Sequence, residues 1–280
     1  MTGVEMLVGY DSSDESRYAL RWAAGEARLR KIPLTACHVW HWPFALAPSG
    51  PEIMETFRLM SEHTAESGAN IARGMAPGLT ARANAVRGPI AETLLALSGS
   101  AGMLVVGHRG NEGFDGLLVG SVAAQLAAHA YCPLVVVRET PVIEDGPVAV
   151  GVDGSPASGA ALAFAFEDAA LRGVGVHAVC SSQDLGGAEV ATSVPDLEEL
   201  GREAAARFER TVAPWCEKYP HVPVRTSFVA VPPRQALMSA AETATLLVVG
   251  RRGLGDMRGL LGSVSQYMTH YAPCPVAIVC

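Results

Sequence analysis

The two halves of this chain carry the same short blocks in the same order. LVGYDSS recurs as AVGVDGS, LVVGHRG as LVVGRRG and GSVAAQ as GSVSQY, each 142 or 143 residues later. Several matched blocks at one offset indicate two homologous domains. The segment RETPVIEDGP between them is short and polar and holds two prolines, which is typical of a domain boundary. We therefore predict domain 1 at residues 1–140 and domain 2 at residues 145–280.

Short apolar runs alternate with longer amphipathic runs in each half, which predicts alternating strands and helices. In the first half the strands are predicted at 5–10, 33–40, 80–87, 103–107 and 133–138, and the helices at 14–31, 52–75, 89–101 and 120–131. In the second half the strands are predicted at 147–152, 174–180, 222–230, 245–250 and 274–279, and the helices at 156–172, 195–218, 232–243 and 262–272.

The predicted strands MLVVG and PLVVV are continuously apolar, as expected for strands that are covered on both faces of a parallel sheet. Right-handed crossovers between such strands give a doubly wound α/β fold, with strand order 2-1-3-4-5 or 3-2-1-4-5. We adopt the second order and predict two tandem five-stranded, Rossmann-like parallel sheets. Ligands bind such sheets beyond the C-terminal ends of the strands, where the strand order reverses. The duplicated blocks follow the first and fourth predicted strands and therefore fall at that place.

The residues of these blocks suit a nucleotide. Glycines at 107, 110 and 120 are expected to take positive φ values and to let the backbone approach a ligand. The loop then enters a helix near Ser121, whose free N–H groups favour phosphate. Asp11 offers an acceptor for a base amine or a ribose hydroxyl, and Arg109 and Arg252 add positive charge. The alternative is purely local: Ser121 only caps its own helix, and Asp11, Ser12 or Ser13 caps the helix that follows the first strand.

The spacing G-x2-G-x9-G-S in the first half resembles the ATP-binding class of the universal stress protein family, of the adenine nucleotide alpha hydrolase-like fold. The blocks VGVDGSPAS at 150–158, HVW at 38–40, RGPIAETLL at 87–95 and AHAYCPLVVV at 128–137 are also similar to the family. The resemblance covers nearly the whole chain twice. It implies one site formed by Asp11, Val39, Gly107, Arg109, Gly110, Gly120, Ser121 and Val122, and a second formed by Asp153, Val179, Gly250, Arg252, Gly253, Gly262, Ser263 and Val264.

The resemblance implies that the loop holds phosphates and ribose, while the aspartate and a backbone valine hold adenine. It further implies a sensor or regulator in stress or dormancy rather than an enzyme, with ATP as ligand and Mg²⁺ carried by the phosphates. The second loop has eight residues instead of nine between Gly253 and Gly262, which shortens the flap over the ribose and makes site two the weaker expectation.

Other nucleotide-binding motifs are missing from the sequence. Lys31 and Lys218 do not follow glycine, so the chain has no phosphate-binding loop of the form GxxxxGK[ST], and GxGxxG is absent after the first strand of either half. Slow ATP hydrolysis stays an alternative, although the loop acids Glu112, Asp115 and Asp256 do not match between the halves and are interpreted as surface residues. His38 and His41 are poorly spaced for a metal and are interpreted as packing near the pocket mouth.

Composition limits the partners. A net charge of −7 without a cluster of basic residues argues against nucleic acid, and no apolar stretch is long enough to span a membrane. Six cysteines without a CxxC pair, in a chain that starts without a signal peptide, predict reduced thiols and a cytoplasmic location. A third alternative is a nucleotide-free interaction protein. The final strand of each half is rich in β-branched residues and is expected to form an exposed edge of its sheet, where another strand can pair. We therefore expect the two halves to pair into a pseudo-dimer and the chains to pair into a homodimer.

Overall fold

The computed structural model describes residues 5–42, 51–110, 120–139, 143, 145–182, 194–254 and 261–280. The chain divides into two compact units, Met1–Glu139 (unit 1) and Thr140–Cys280 (unit 2). Within the described ranges, no helix has the length and apolar character needed to cross a bilayer.

The two units have the same succession of strands and helices. Unit 1 contains β1 (Met6–Gly9), α1 (Asp14–Arg30), β2 (Leu34–Trp40), α2 (Pro51–Met75), β3 (Ala81–Arg87), α3 (Ile90–Ser98), β4 (Met103–Gly107), α4 (Ser121–His129) and β5 (Leu134–Val137). Unit 2 contains β6 (Val148–Gly151), α5 (Pro156–Arg172), β7 (Val176–Ser181), α6 (Val194–Lys218), β8 (Val224–Val229), α7 (Pro233–Ala241), β9 (Leu246–Gly250), α8 (Ser263–Tyr271) and β10 (Val276–Val279).

Each unit is built on a five-stranded parallel sheet. The strand order is β3-β2-β1-β4-β5 in unit 1 and β8-β7-β6-β9-β10 in unit 2. Helices α1 and α2 pack together, as do α3 and α4, and the same pairs form in unit 2. The predicted α/β class and the order 3-2-1-4-5 are confirmed, and the order 2-1-3-4-5 is wrong. Strand β1 therefore lies between β2 and β4, and the C-terminal ends of β1 and β4 are adjacent.

The continuous apolar runs form the interior of each sheet. All residues of β4 are buried, as are all residues of β5 and β10. These side chains lie between helices on both faces, which is why the strands show no polar alternation. The rigid layer that they form fixes the places at which the strand-end loops begin. None of the six cysteines, all of which lie in the described ranges, forms a disulfide, and Cys37, Cys132, Cys180 and Cys274 are buried in or beside strands of the two sheets.

Candidate functional site

One cavity opens at the C-terminal strand ends of each unit. The cavity of unit 1 has a volume of about 190 Å³ and the cavity of unit 2 about 460 Å³. The residues predicted for site one all line the first cavity: Asp11, Val39, Gly107, Arg109, Gly110, Gly120, Ser121 and Val122. The residues predicted for site two all line the second: Asp153, Val179, Gly250, Arg252, Gly253, Gly262, Ser263 and Val264.

A tight turn after β1 fixes the carboxylate of Asp11. Its Oδ1 accepts hydrogen bonds from the backbone N–H of Ser13 at 3.0 Å and from the Ser13 hydroxyl at 2.5 Å. The Ser13 hydroxyl oxygen in turn accepts from the N–H of Ser16 at 3.1 Å and caps helix α1. Of the three candidates for the cap, Ser13 therefore performs it, and Asp11 holds the turn that leads into it.

Unit 2 repeats this turn with a different residue at its centre. The N–H of Ser155 donates to Asp153 Oδ1 at 2.9 Å, and the Ser155 hydroxyl caps helix α5 through the N–H of Ser158. The central residue has a left-handed backbone in both units, with φ of 69° at Ser12 and 82° at Gly154. Glycine adopts this conformation without steric cost, whereas serine does not.

The second carboxylate oxygen of each aspartate faces the glycine loop. In unit 2 the N–H of Leu254 donates to Asp153 Oδ2 at 3.1 Å. A Cβ atom added to Gly253 would lie 2.6 Å from this oxygen, and one added to Gly110 would lie 2.7 Å from Asp11 Oδ2. The loop after β4 or β9 thus approaches the carboxylate so closely that a side chain would displace it.

The glycine that ends β4 has a packing role. A Cβ atom on Gly107 would lie 2.8 Å from the backbone carbon and oxygen of Glu15, in the first turn of α1. A Cβ atom on Gly250 would lie 2.9 Å from the Cβ of Ala157 in α5. These glycines let the capped helix lie directly against the neighbouring strand end.

The expectation that Gly107, Gly110 and Gly120 take positive φ values is wrong. Among the glycines that the structure describes, positive φ occurs at Gly78, Gly154 and Gly173. Gly107 and Gly110 are instead required by their close approach to Glu15 and Asp11, whereas a Cβ atom on Gly120 would meet nothing closer than 3.4 Å.

Each glycine loop closes onto its own beginning. The N–H of Gly120 donates to the carbonyl of His108 at 2.7 Å, and the N–H of Gly262 donates to the carbonyl of Arg251 at 2.9 Å. The one-residue difference in loop length therefore leaves the loop ends unchanged. The acids Glu112, Asp115 and Asp256 lie outside the described residues.

Helices α4 and α8 begin at the cavities without a side-chain cap. Their N-cap residues are Gly120 and Gly262, which have no side chain to accept from the first turn. Ser121 and Ser263 follow directly and are exposed, with hydroxyls that can donate. An uncapped helix start offers N–H groups and the positive end of the helix dipole to an anion.

Positive charge gathers beside this helix start in unit 1. Arg109 lines the cavity, and its Nε is buried without a hydrogen-bond partner among the described residues. Burial, with a smaller contribution from nearby Arg109, lowers the pKa of Arg138. Burial also lowers the pKa of His108 to about 4, aided by Arg138, so this imidazole is neutral near pH 7. In unit 2, Arg252 lines the cavity and is exposed.

Helices α3 and α7 supply an apolar wall that the site prediction missed. Ile90 and Leu94 line the first cavity, and Pro233 and Leu237 line the second. The available signal was the block RGPIAETLL, which contains Ile90 and Leu94 at a spacing that places them on one helix face. His38, interpreted from the sequence as packing near the pocket mouth, lines the first cavity and bonds through Nδ1 to the carbonyl of Tyr10 at 2.8 Å.

The pairing register of the strands shows that Val39 and Val179, which were predicted as equivalent residues, are not at equivalent positions. Gly9 of β1 pairs with Cys37, and Gly151 of β6 pairs with Val179. Val179 therefore occupies the position of Cys37, while the counterpart of Val39 is Ser181. Both Val179 and Ser181 line the second cavity.

The described residues contain no group of three or more histidine, cysteine or acidic side chains placed to hold a metal ion. His41 is exposed, and Trp42 beside it packs edge-on against Phe57, with 5.2 Å between ring centroids. Each cavity thus combines an anion-attracting helix start, an apolar wall and one carboxylate among its described lining residues.

Comparison with known proteins places this arrangement in a family. The profile of the universal stress protein family matches residues 5–138 and again residues 146–279. A universal stress protein of Mycolicibacterium smegmatis is 36% identical over 284 residues, covering 98% of this chain and 96% of the relative. One from Mycobacterium tuberculosis is 35% identical over 285 residues, covering 98% and 96%.

Solved structures agree on the fold. The crystal structure of a universal stress protein from Archaeoglobus fulgidus superposes with a TM-score of 0.71 at 20% identity, covering 98% of this chain and 95% of that one. The family profile matches both units, and the match to the Mycolicibacterium smegmatis protein covers nearly the full length of both chains. The chain therefore belongs to the universal stress protein family and carries two of its domains in tandem.

Proposed function

We propose that this chain binds ATP, with one nucleotide site in each unit, and acts as a nucleotide-dependent sensor or regulator in a stress response or dormancy. One observation carries the proposal: both units bring an uncapped helix start, a closed glycine loop and an aspartate to a single cavity. Because the same three features occur twice, a chance arrangement of one loop does not account for them.

The helix starts at Ser121 and Ser263 are the proposed phosphate end. Free N–H groups of a helix start and of the adjoining loop suit an anion of several oxygens better than a neutral ligand. Arg109 and Arg252 add charge at the same end. Mg²⁺ would enter with the phosphates, because the described lining residues of each cavity include a single carboxylate.

The apolar wall of each cavity is the proposed base site. Leu94 and Val39 in unit 1, and Leu237 and Val249 in unit 2, give apolar surfaces for a flat ring. The carboxylates of Asp11 and Asp153 are acceptors for an amino group or a ribose hydroxyl. Adenine follows from the family resemblance, and a polyphosphate follows from the helix start.

The proposal is for binding without efficient turnover. Phosphoryl transfer needs a group that positions the nucleophile, in addition to metal ligands. The single carboxylate described at each cavity already holds the turn after its strand through Oδ1, at Ser13 or Ser155. A cytoplasmic location, pairing of the two halves and a homodimer remain predictions that accompany this function.

Calorimetric titration of the full chain with MgATP tests the proposal. Gly110→Ala and Gly253→Ala each place a methyl group within 2.7 Å and 2.6 Å, respectively, of the adjacent aspartate oxygen. The backbone tolerates alanine at both positions, so each variant perturbs one cavity with little effect on the fold. Gly25→Ala and Gly159→Ala are matched controls, because a Cβ atom there meets nothing within 4 Å.

We expect two binding events in the wild type and in both controls, and the loss of one event in each site variant. Protein that has been denatured mildly should also release adenine nucleotide. If nucleotide-free wild-type protein gives no heat with MgATP, ADP or AMP, the binding function is wrong and an interaction role takes its place.

A further inference from the structure

The two cavities differ where the base would lie, although their phosphate ends are alike. The turn at the aspartate, the close approach of the loop glycine and the closing hydrogen bond of the loop occur in both units. The cavity volumes nevertheless differ, about 190 Å³ in unit 1 against about 460 Å³ in unit 2. Small-molecule sites have volumes of roughly 300–1,000 Å³, a range that includes only the second.

Strand register identifies the side chains that differ at the base end. Because Gly9 pairs with Cys37 and Gly151 with Val179, the position of His38 is taken by Cys180 in unit 2. By the same register Ser181 replaces Val39. His38 lines the cavity of unit 1, whereas Cys180 is buried and is not among the residues that line the cavity of unit 2.

The His38 side chain, which adds bulk to the cavity of unit 1, is held in place. The imidazole of His38 is bonded through Nδ1 to the carbonyl of Tyr10 at 2.8 Å, so the ring lies across the ends of β1 and β2. Tyr10 is only 3% exposed, and a Cβ atom on Gly68 of α2 would lie 2.7 Å from its ring. Movement of the His38 ring out of this cavity therefore requires the loss of that hydrogen bond.

Unit 2 offers hydroxyl oxygens where unit 1 has methyl groups. The hydroxyl of Ser181 donates to the carbonyl of Val231 at 2.7 Å, and the hydroxyl of Ser265 donates to the carbonyl of Gly250 at 2.5 Å. With its proton used in this way, the Ser265 oxygen remains an acceptor at the cavity surface. The corresponding residues of unit 1 are Val39 and Ala123, which add no acceptor.

We propose that the two nucleotide sites are unequal and that unit 2 binds ATP more tightly than unit 1, by about tenfold or more. The proposal rests on the proposed function. It identifies His38 as the residue that narrows the cavity of unit 1 and weakens its site. It also reverses the order expected from loop length alone, because the shorter loop of unit 2 closes with the same hydrogen bond.

The test measures each site alone and then exchanges the differing residues. Calorimetry with MgATP on Gly253→Ala reports unit 1, and on Gly110→Ala reports unit 2. Adding His38→Cys and Val39→Ser to the Gly253→Ala chain should tighten unit 1 by about tenfold. Adding Cys180→His and Ser181→Val to the Gly110→Ala chain should weaken unit 2 by a similar factor. His41→Cys is the matched control, since that histidine is exposed and lines neither cavity.

Equal dissociation constants for the two units, or a tighter unit 1, would overturn the inequality while leaving ATP binding intact. An unchanged affinity after both exchanges, in proteins whose melting temperatures match their parents, would also overturn it. The absence of binding in the wild type would overturn the proposed function, and this inference with it.

Discussion

Replacement of Gly107 by alanine should destabilise unit 1, because the new methyl group has no space. Its Cβ would lie 2.8 Å from both the carbonyl carbon and the oxygen of Glu15, and 2.9 Å from the Glu15 Cβ. Favourable contacts between carbon atoms lie at about 3.5–4.0 Å, so the first turn of α1 must move by roughly 0.7 Å or more. That turn is fixed by the Ser13 cap and by the hydrogen bonds of Asp11.

Overpacking of this kind costs about 1–3 kcal/mol. For a unit of this size that corresponds to a decrease of about 3–10 °C in the melting temperature. Gly250→Ala should cost less, because its nearest neighbour is the side chain of Ala157 at 2.9 Å and the backbone is 3.1 Å away. Gly110→Ala should cost least, because it meets only the end of the Asp11 side chain.

Thermal unfolding of the three variants, monitored by differential scanning calorimetry, checks this order of destabilisation. Gly25→Ala is the control, since it lies in the same helix as Glu15 with open space around it and should gain about 0.5–1 kcal/mol. A melting temperature of Gly107→Ala within about 1 °C of the wild type would refute the packing argument. Gly107 would then be required for the approach of a ligand, as the sequence alone had indicated.

Two further predictions concern the strand ends. Ser12→Gly should stabilise unit 1 by about 0.5–1 kcal/mol, because φ is 69° at this position. Gly154→Ser should destabilise unit 2 by a similar amount, because φ is 82° there. Urea unfolding midpoints of the two variants that shift in the same direction would contradict this. The pKa of His108 should be about 4 in an NMR titration, below the ordinary 6.5. The unfolded chain then binds this proton first, so the free energy of unfolding should fall as the pH decreases from about 6.5 to 4, and His108→Gln should remove that part of the pH dependence; titration of His108 near 6.5 would refute it.

The sequence predicted the scaffold because its signals are local. Continuous apolar runs marked inner strands such as β4, and helix α1, predicted at 14–31, runs from Asp14 to Arg30. Helix α4, predicted at 120–131, begins one residue later at Ser121, since Gly120 is its N-cap, and ends at His129 because the backbone of Ala130 is extended. These differences concern the ends of helices, where a single backbone angle decides the boundary.

The site was predicted less completely because part of it depends on distant contacts. The repeated blocks located the aspartate and the glycine loop, and those residues do line the cavities. The reason for Gly107 was wrong, because its close neighbour Glu15 is far away in sequence and the contact exists only in the folded unit. The match of Val179 to Val39 relied on residue type, whereas the hydrogen-bonding register selects Ser181.

Two copies of one fold within a chain act as a comparison in which the scaffold is held constant. The aspartate turn and the loop closure are the same in both units, so they cannot explain a difference in cavity volume. Lining side chains on the same framework do differ, and His38, which bonds to the carbonyl of Tyr10, is one of them. Loop length, the feature most visible in the sequence, is therefore a poor guide to the difference between the two cavities, and the residues that end the second strand of each sheet are a better one.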